Sequence, residues 1–226
     1  MKQTAVVQLG PLKLSGPAAQ LVLAVIAATI VLVANYAGAS RHDWPIYLSI
    51  ALWFAFMTYW SAAARNRGAA QSSESRESRR VHELLMNGAL LMLFIPLPGL
   101  REHLIERTTV AIAAGLTVQI ASGLLGVWAR KHLGRNWSGA ITIVEDHQLV
   151  RSGPYRMLRH PIYTAMLGMF VGSAIVSGEV HALIAVLMIS FAYWRKIRME
   201  EGALLGQFGA TYEDYRKRSW AVLPFL

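Results

Sequence analysis

Two islands of this chain hold residues able to do chemistry. "EDHQLVRSGPYRMLRHPIY", residues 145–163, sets Arg151, Arg156, Arg159 and His160 immediately before an apolar run. "RKIRMEEGALLGQFGATYEDY", residues 195–215, sets Glu200 and Glu201 directly after Arg195, Lys196 and Arg198. A third polar piece, "LGRNWS", occupies 133–138. In the first island Gly153 and Pro154 form a turn, because glycine takes positive φ and proline fixes the next φ. Pro161 suits the first turn of a helix, where its missing N–H costs nothing. His160 then stands at a helix start beside backbone donors, a place that favours a carboxylate or phosphate ligand. The same cations also suit a loop that holds lipid headgroups. In the second island, carboxylates beside a membrane face need partners, so pairing with the nearby bases is expected for stability alone. Functionally, it reads as a pocket where carboxylates meet a cation and bases meet an anion. Leu205, Phe208, Tyr212 and Tyr215 follow at helical spacing and read as packing residues. Gly209 is placed to kink or end that helix.

The elements that must position these islands are membrane helices. The chain has 226 residues, 54% hydrophobic and only 15% charged, against about 25% charged in soluble domains. A net charge of +9 would suit nucleic acid if the bases lined one solvated face. Here they fall between apolar runs, which points to an anionic membrane surface instead and away from nucleic acid. Apolar runs at 17–39, 44–64, 83–100 and 109–129 approach or reach the roughly 20 residues that a bilayer requires. The third ends in "IPLPGL", whose prolines break helices. A last apolar stretch, 162–194, is interrupted at 177–181 by "SGEVH". Each half is short for a span, so a tight helical hairpin is expected. The fold class is therefore an all-α integral membrane protein with about five to six transmembrane helices, including a C-terminal hairpin. The first run, with no small-residue cleavage site after it, reads as a retained segment and not a removed signal.

Loop charge sets the orientation. Residues 65–82, with five arginines and two glutamates, together with 130–160 and 195–218, belong on the cytoplasmic side by the positive-inside rule. Residues 65–82 read as a flexible or frayed connection and not as a site. Cysteine is absent, which excludes thiolate catalysis and cysteine-held metals. The seven histidines form no i, i+4 pair, so no metal site is expected. No glycine-rich dinucleotide fingerprint and no serine nucleophile elbow occurs.

Over about residues 130–226 the chain resembles the isoprenylcysteine carboxyl methyltransferase family. The resemblance rests on the order and spacing of "LGRNWS", "HQLVRSGPYRMLRHPIY", "RKIRMEE", "FGATYEDY" and "LPF". It is shared with phospholipid N-methyltransferases and, more distantly, with sterol reductases of similar architecture. The resemblance implies an integral membrane enzyme that holds S-adenosyl-L-methionine in its C-terminal half, facing the cytosol, and takes a lipophilic substrate from the bilayer. It divides the chain into N-terminal transmembrane helices, 1–129, serving as scaffold and substrate access, and a cofactor-binding and catalytic region, 130–226. By position, it assigns the cofactor to His147, Gln148, Leu149, Val150, Tyr155, His160, Pro161, Ile162, Tyr163 and Glu200. The basic residue that orients the substrate carboxylate falls on Lys196, where the family often has arginine. Lysine lacks arginine's planar fork, so Arg195 or Arg198 is a candidate to take over. Lys196, Arg198 and Glu201 are the catalytic candidates.

The leading expectation is methyl transfer to the C-terminal carboxylate of an isoprenylcysteine, leaving S-adenosyl-L-homocysteine. A carboxylate acceptor is already nucleophilic and needs no base. An amine acceptor, on a phospholipid or a small molecule, would need Glu201 to take a proton. A non-enzymatic membrane protein binding anionic lipid would tolerate any exchange of Lys and Arg across 151–159. A reductase would need a nicotinamide phosphate site, for which no motif is present.

Overall fold

The computed structural model describes residues 6–9, 12–15, 44–63, 71–72, 75–95, 97–134, 142–143 and 149–223. They fall into two compact units, Met1–Arg65 and Asn66–Leu226. The first apolar run, 17–39, and most of "LGRNWS" lie outside the described residues.

In the first unit β1 (Val6–Leu9) pairs antiparallel with β2 (Leu12–Ser15). Helix α1 (Trp44–Ala63) follows the second apolar run almost residue for residue. It buries Ser49, Ile50, Trp53 and Phe56 at helical spacing, and Trp53 meets Phe56 edge-on at 6.4 Å.

The second unit contains α2 (Arg76–Phe94), α3 (Thr109–Leu133), a 3₁₀ turn (Gly153–Arg156), α4 (Pro161–Ser177), α5 (Val180–Phe208) and α6 (Ala210–Lys217). A two-residue ladder pairs β3 (Gln71–Ser72) with β4 (Thr142–Ile143). Helix α4 and helix α5 form the expected hairpin; α3 packs on α4, and α2 packs on α5. Three helices are long and apolar enough to cross a membrane, namely α1, α3 and α5, while α4 is apolar but shorter. The protein is thus an all-α, multi-pass integral membrane protein, with three of the five to six expected crossings among the described residues.

Local chemistry sets the boundaries. Ser75 caps α2 by accepting the Ser78 N–H at 3.1 Å, and Thr108 caps α3 by accepting the Ala111 N–H at 3.1 Å. Helix α2 stops at Phe94, just before Pro96 and Pro98. The hairpin turns on Gly178, whose φ is 71°. A Cβ there would lie 2.5 Å from the Ile105 carbonyl oxygen, so the position requires glycine both for conformation and for space. Small residues bring α3 and α4 together as membrane helices often require. A Cβ on Gly172 would lie 2.6 Å from the Gly115 carbonyl oxygen, and one on Gly168 would overlap the Ser122 hydroxyl.

Two expectations need correction. Residues 76–82 are not a frayed connection: they are the first turns of α2, and Ser78 is buried there. The second half of the hairpin is not short either. Helix α5 runs 29 residues, because "RKIRMEEGALLGQF" is polar but holds no proline, and the helix continues until Gly209, at φ 49°, ends it.

Candidate functional site

The polar site gathers where the start of α4 meets the last turns of α5. His160 is the N-cap of α4 and Pro161 its first residue. The imidazole is buried between two carboxylates: Nδ1 lies 3.5 Å from Glu200 Oε2, and Nε2 lies 3.4 Å from Glu201 Oε1. The Nε2 contact lacks hydrogen-bond alignment. One turn into α4, the Tyr163 hydroxyl donates to Glu200 Oε1 at 2.5 Å. Its ring lies between His160, at 5.5 Å, and Tyr193 of α5, at 4.6 Å.

Arg159 closes the other side. Its Nε donates to Glu201 Oε1 at 2.7 Å, while Nη1 donates to the carbonyls of Ser219 and Arg216. Arg216 adds a second cation 3.7 Å from Glu201 Oε2. Glu201 is therefore held by arginine, whereas Glu200 is held by a phenol and an imidazole.

A strap after α6 fixes the start of α4. The N–H groups of Arg159 and His160 donate to the carbonyls of Trp220, at 2.8 Å, and Ala221, at 3.0 Å, and the Trp220 N–H donates to Met157 O. Thr164 donates its hydroxyl to Val222 O at 2.6 Å. Tyr215 donates to the Tyr155 carbonyl at 2.5 Å.

The backbone donors expected at this helix entry are partly taken. Pro161 has no N–H, and the N–H groups of Tyr163 and Thr164 return to the His160 carbonyl at 3.0 Å. The groups that face the imidazole are the protein's own carboxylates.

Burial acts against charge on His160. The adjacent carboxylates of Glu200 and Glu201 outweigh it and raise the imidazole above its ordinary value. Burial likewise raises the Tyr155 and Tyr212 phenols, and it pushes Tyr215 up to about 12. All three stay neutral near pH 7. The hydroxyls of Tyr155 and Tyr212 are buried without a hydrogen-bond partner among the described residues.

Of the sequence-derived candidates, Tyr155, His160, Pro161, Tyr163, Glu200 and Glu201 are brought together, with Ile162 in the same turn of α4 and Leu149 and Val150 half-buried ahead of the 3₁₀ turn. His147 and Gln148 lie outside the described residues. Lys196 is buried, 3% exposed, one turn before Glu200 on the same helix face. Arg198 is on the far face, exposed, with its guanidinium 5.3 Å from the centre of the Trp194 ring. Arg195 is turned to α2 and donates to the Ser78 hydroxyl at 2.9 Å. Sequence reading missed Tyr193 and took Tyr212 and Tyr215 for packing alone. The spacing of Tyr193, Lys196 and Glu200, three and then four apart, was a signal available for the first.

Fold and site together define a class: a multi-pass membrane protein whose C-terminal hairpin carries a buried cluster of histidine, tyrosine, arginine and paired glutamates. Known proteins narrow this. Residues 114–206 match the isoprenylcysteine carboxyl methyltransferase (ICMT) family, so the resemblance read from the sequence is borne out over α3, the 3₁₀ turn and most of the hairpin. A probable protein-S-isoprenylcysteine O-methyltransferase of Oryza sativa is 30% identical over 50% of this chain and 60% of its own length. The protein-S-isoprenylcysteine O-methyltransferase B of Arabidopsis thaliana is 30% identical over 57% and 64%. The nickel-cobalt-cadmium resistance protein NccN of Alcaligenes xylosoxydans is 36% identical over 50% and 52%. The chain thus spans less than two thirds of each of these relatives. The solved eukaryotic intramembrane Ras methyltransferase ICMT shares the fold, with a TM-score of 0.61 over 92% of this chain and 75% of its own, at 21% identity.

Proposed function

We propose that the protein is a methyltransferase that uses S-adenosyl-L-methionine and acts on a lipophilic substrate drawn from the bilayer, with the C-terminal carboxylate of an isoprenylcysteine as acceptor. The carrying observation is the His160–Glu200–Tyr163 cluster inside the stretch that matches the ICMT family. In this reading residues 1–129 provide scaffold and substrate access, residues 130–226 bind and catalyse, and the basic loops turn the site to the cytoplasm.

The residues present suit the donor. Its ammonium would meet Glu200, which has no arginine among its contacts with the described residues. Its carboxylate would meet donors with unmet capacity among the described residues, the His160 Nε2–H and the Tyr155 hydroxyl. His147, Gln148, Leu149, Val150, Pro161 and Ile162 would enclose the remainder. When bound, the donor supplies an electrophilic methyl group on sulfonium and leaves as S-adenosyl-L-homocysteine. The chain's own residues align, neutralise and exclude water, because a carboxylate acceptor needs no base. Lys196 would orient that carboxylate as a point charge. Arg198, exposed beside Trp194, would serve at the rim.

Glu201 favours this acceptor over an amine. Bound by Arg159 and flanked by Arg216, it is a stabilised carboxylate and a poor proton acceptor. Calorimetric titration of the detergent-purified protein with S-adenosyl-L-homocysteine tests the reading. Binding is expected in wild type, weakened at least about 100-fold in His160→Ala and in Glu200→Ala. Wild-type affinity in both folded variants would refute it.

A further inference from the structure

Three cations stand within four residues on α5, and the structure treats each differently. Arg198 lies outside on Trp194. Lys196 is buried on the face that carries Tyr193 and Glu200. Arg195 is withdrawn sideways to α2, where Nη2 donates to the Ser78 hydroxyl at 2.9 Å and Nη1 approaches the Ser78 carbonyl at 3.4 Å. Ser78 is itself buried, and its hydroxyl donates to the Met199 sulfur at 3.6 Å, so one small side chain engages two residues of α5 a turn apart. One turn further along α2, the His82 ring lies 5.9 Å from the Tyr193 ring. Tyr193 in turn stacks on Tyr163, which holds Glu200. Helix α2 therefore grips α5 on both sides of Lys196. Residues 76–94 lie outside the stretch that matches the family.

We infer that Ser78 and Arg195 form a positioning clamp that determines which cation meets the acceptor: it holds Arg195 out of the site and fixes the rotation of α5, so that Lys196 faces the acceptor. Ser78 and Arg195 are positioning residues and touch neither donor nor acceptor. The two-pronged grip of a guanidinium on a hydroxyl and a carbonyl defines helix rotation in a way a single contact cannot. A lysine at 195 would keep the charge and lose the fork. The inference rests on the methyltransferase reading.

The test uses the full chain in lipid nanodiscs, with N-acetyl-S-farnesyl-L-cysteine as acceptor and S-adenosyl-L-homocysteine as cofactor probe. Ser78→Ala is expected to raise the acceptor KM about tenfold, the loss of one charge-assisted hydrogen bond, with kcat and the probe's Kd within about twofold of wild type. Arg195→Lys is expected to raise KM by less. The double variant Ser78→Ala/Arg195→Lys should add nothing to the larger single effect, as for two halves of one device. An unchanged KM in Ser78→Ala, or additive effects in the double variant, overturns the clamp. A rise in the probe's Kd that tracks the rise in KM also overturns it, because general loosening would do that. No probe binding to wild type overturns the methyltransferase reading and the clamp with it; wild-type turnover with an unmoved KM overturns the clamp alone.

Discussion

The two ends of the α4–α5 hairpin carry the same residue types, a buried histidine beside glutamate, and hold them differently. At the turn, His181 has both ring nitrogens bonded: Nδ1 to the Met92 carbonyl at 2.7 Å and Nε2 to Glu179 Oε2 at 2.9 Å. Around it the loop after α2 is fastened to the hairpin by the Leu104 N–H on Gly178 O, the Val180 N–H on Glu102 O and the His181 N–H on Leu100 O. At the site end, His160 faces two carboxylates at 3.4 and 3.5 Å, and the buried hydroxyls of Tyr155 and Tyr212 have no partner among the described residues. A saturated histidine locks structure; an unsaturated one has capacity left for a ligand. Buried polar groups that a fold leaves unmet are costly, so a ligand bound by Tyr155, His160 and Tyr212 would recover part of that cost.

Substitution can break this contrast. His181→Ala would leave the Glu179 carboxylate buried without its imidazole, with the exposed Arg101 at 3.9 Å as its cation among the described residues. It is expected to lower unfolding stability by about 3 kcal/mol, read as a chemical-denaturation midpoint, while the surviving folded protein still binds S-adenosyl-L-homocysteine. His160→Ala should do the reverse, costing less stability than His181→Ala and losing the ligand. Equal losses in both properties for both variants would erase the distinction.

A smaller effect sharpens the site end. Arg159→Lys keeps the charge but cannot reach Glu201 and the strap carbonyls of Arg216 and Ser219 together. It is expected to weaken S-adenosyl-L-homocysteine binding about tenfold, or about 1.4 kcal/mol. Full tolerance in calorimetry would instead support a surface where only charge counts.

The smallest effect depends on pH. His160 has a raised folded-state value, so its contribution to stability is complete below the unfolded value of 6.5 and is lost as pH rises through the folded one. The gap in thermal midpoint between wild type and His160→Gln should therefore be larger at about pH 6 than at about pH 9. A gap that widens with pH would contradict the clasp by Glu200 and Glu201.

Much of this was legible in the chain. The apolar runs at 44–64 and 109–129 became α1 and α3, "SGEVH" became the hairpin turn, and Gly209 ended α5 as its type suggested. Hydropathy failed where helices are polar. Helix α2 begins at Arg76 because Ser75 caps it and Ser78 packs on α5, and neither fact alters an apolar count. Helix α5 continues through its charged second half because nothing there breaks it. The long-range pairing was the least legible part. Arg159 and Glu201 are 42 residues apart, and the strap lies some 60 residues from the turns it holds, so the composition around His160 suggested an anion where the fold supplies two carboxylates.

The unequal arms of the hairpin also set a depth. Helix α4 has 17 residues and α5 has 29, about 26 and 43 Å of helix, against a hydrocarbon core of about 30 Å. Both are pinned together at Gly178, so the mismatch falls wholly at the other end. There α4 stops short, while α5 carries on and presents Glu200 and Glu201 to the first turn of α4. An acceptor anchored by an apolar tail would offer its polar end at that level without leaving the bilayer.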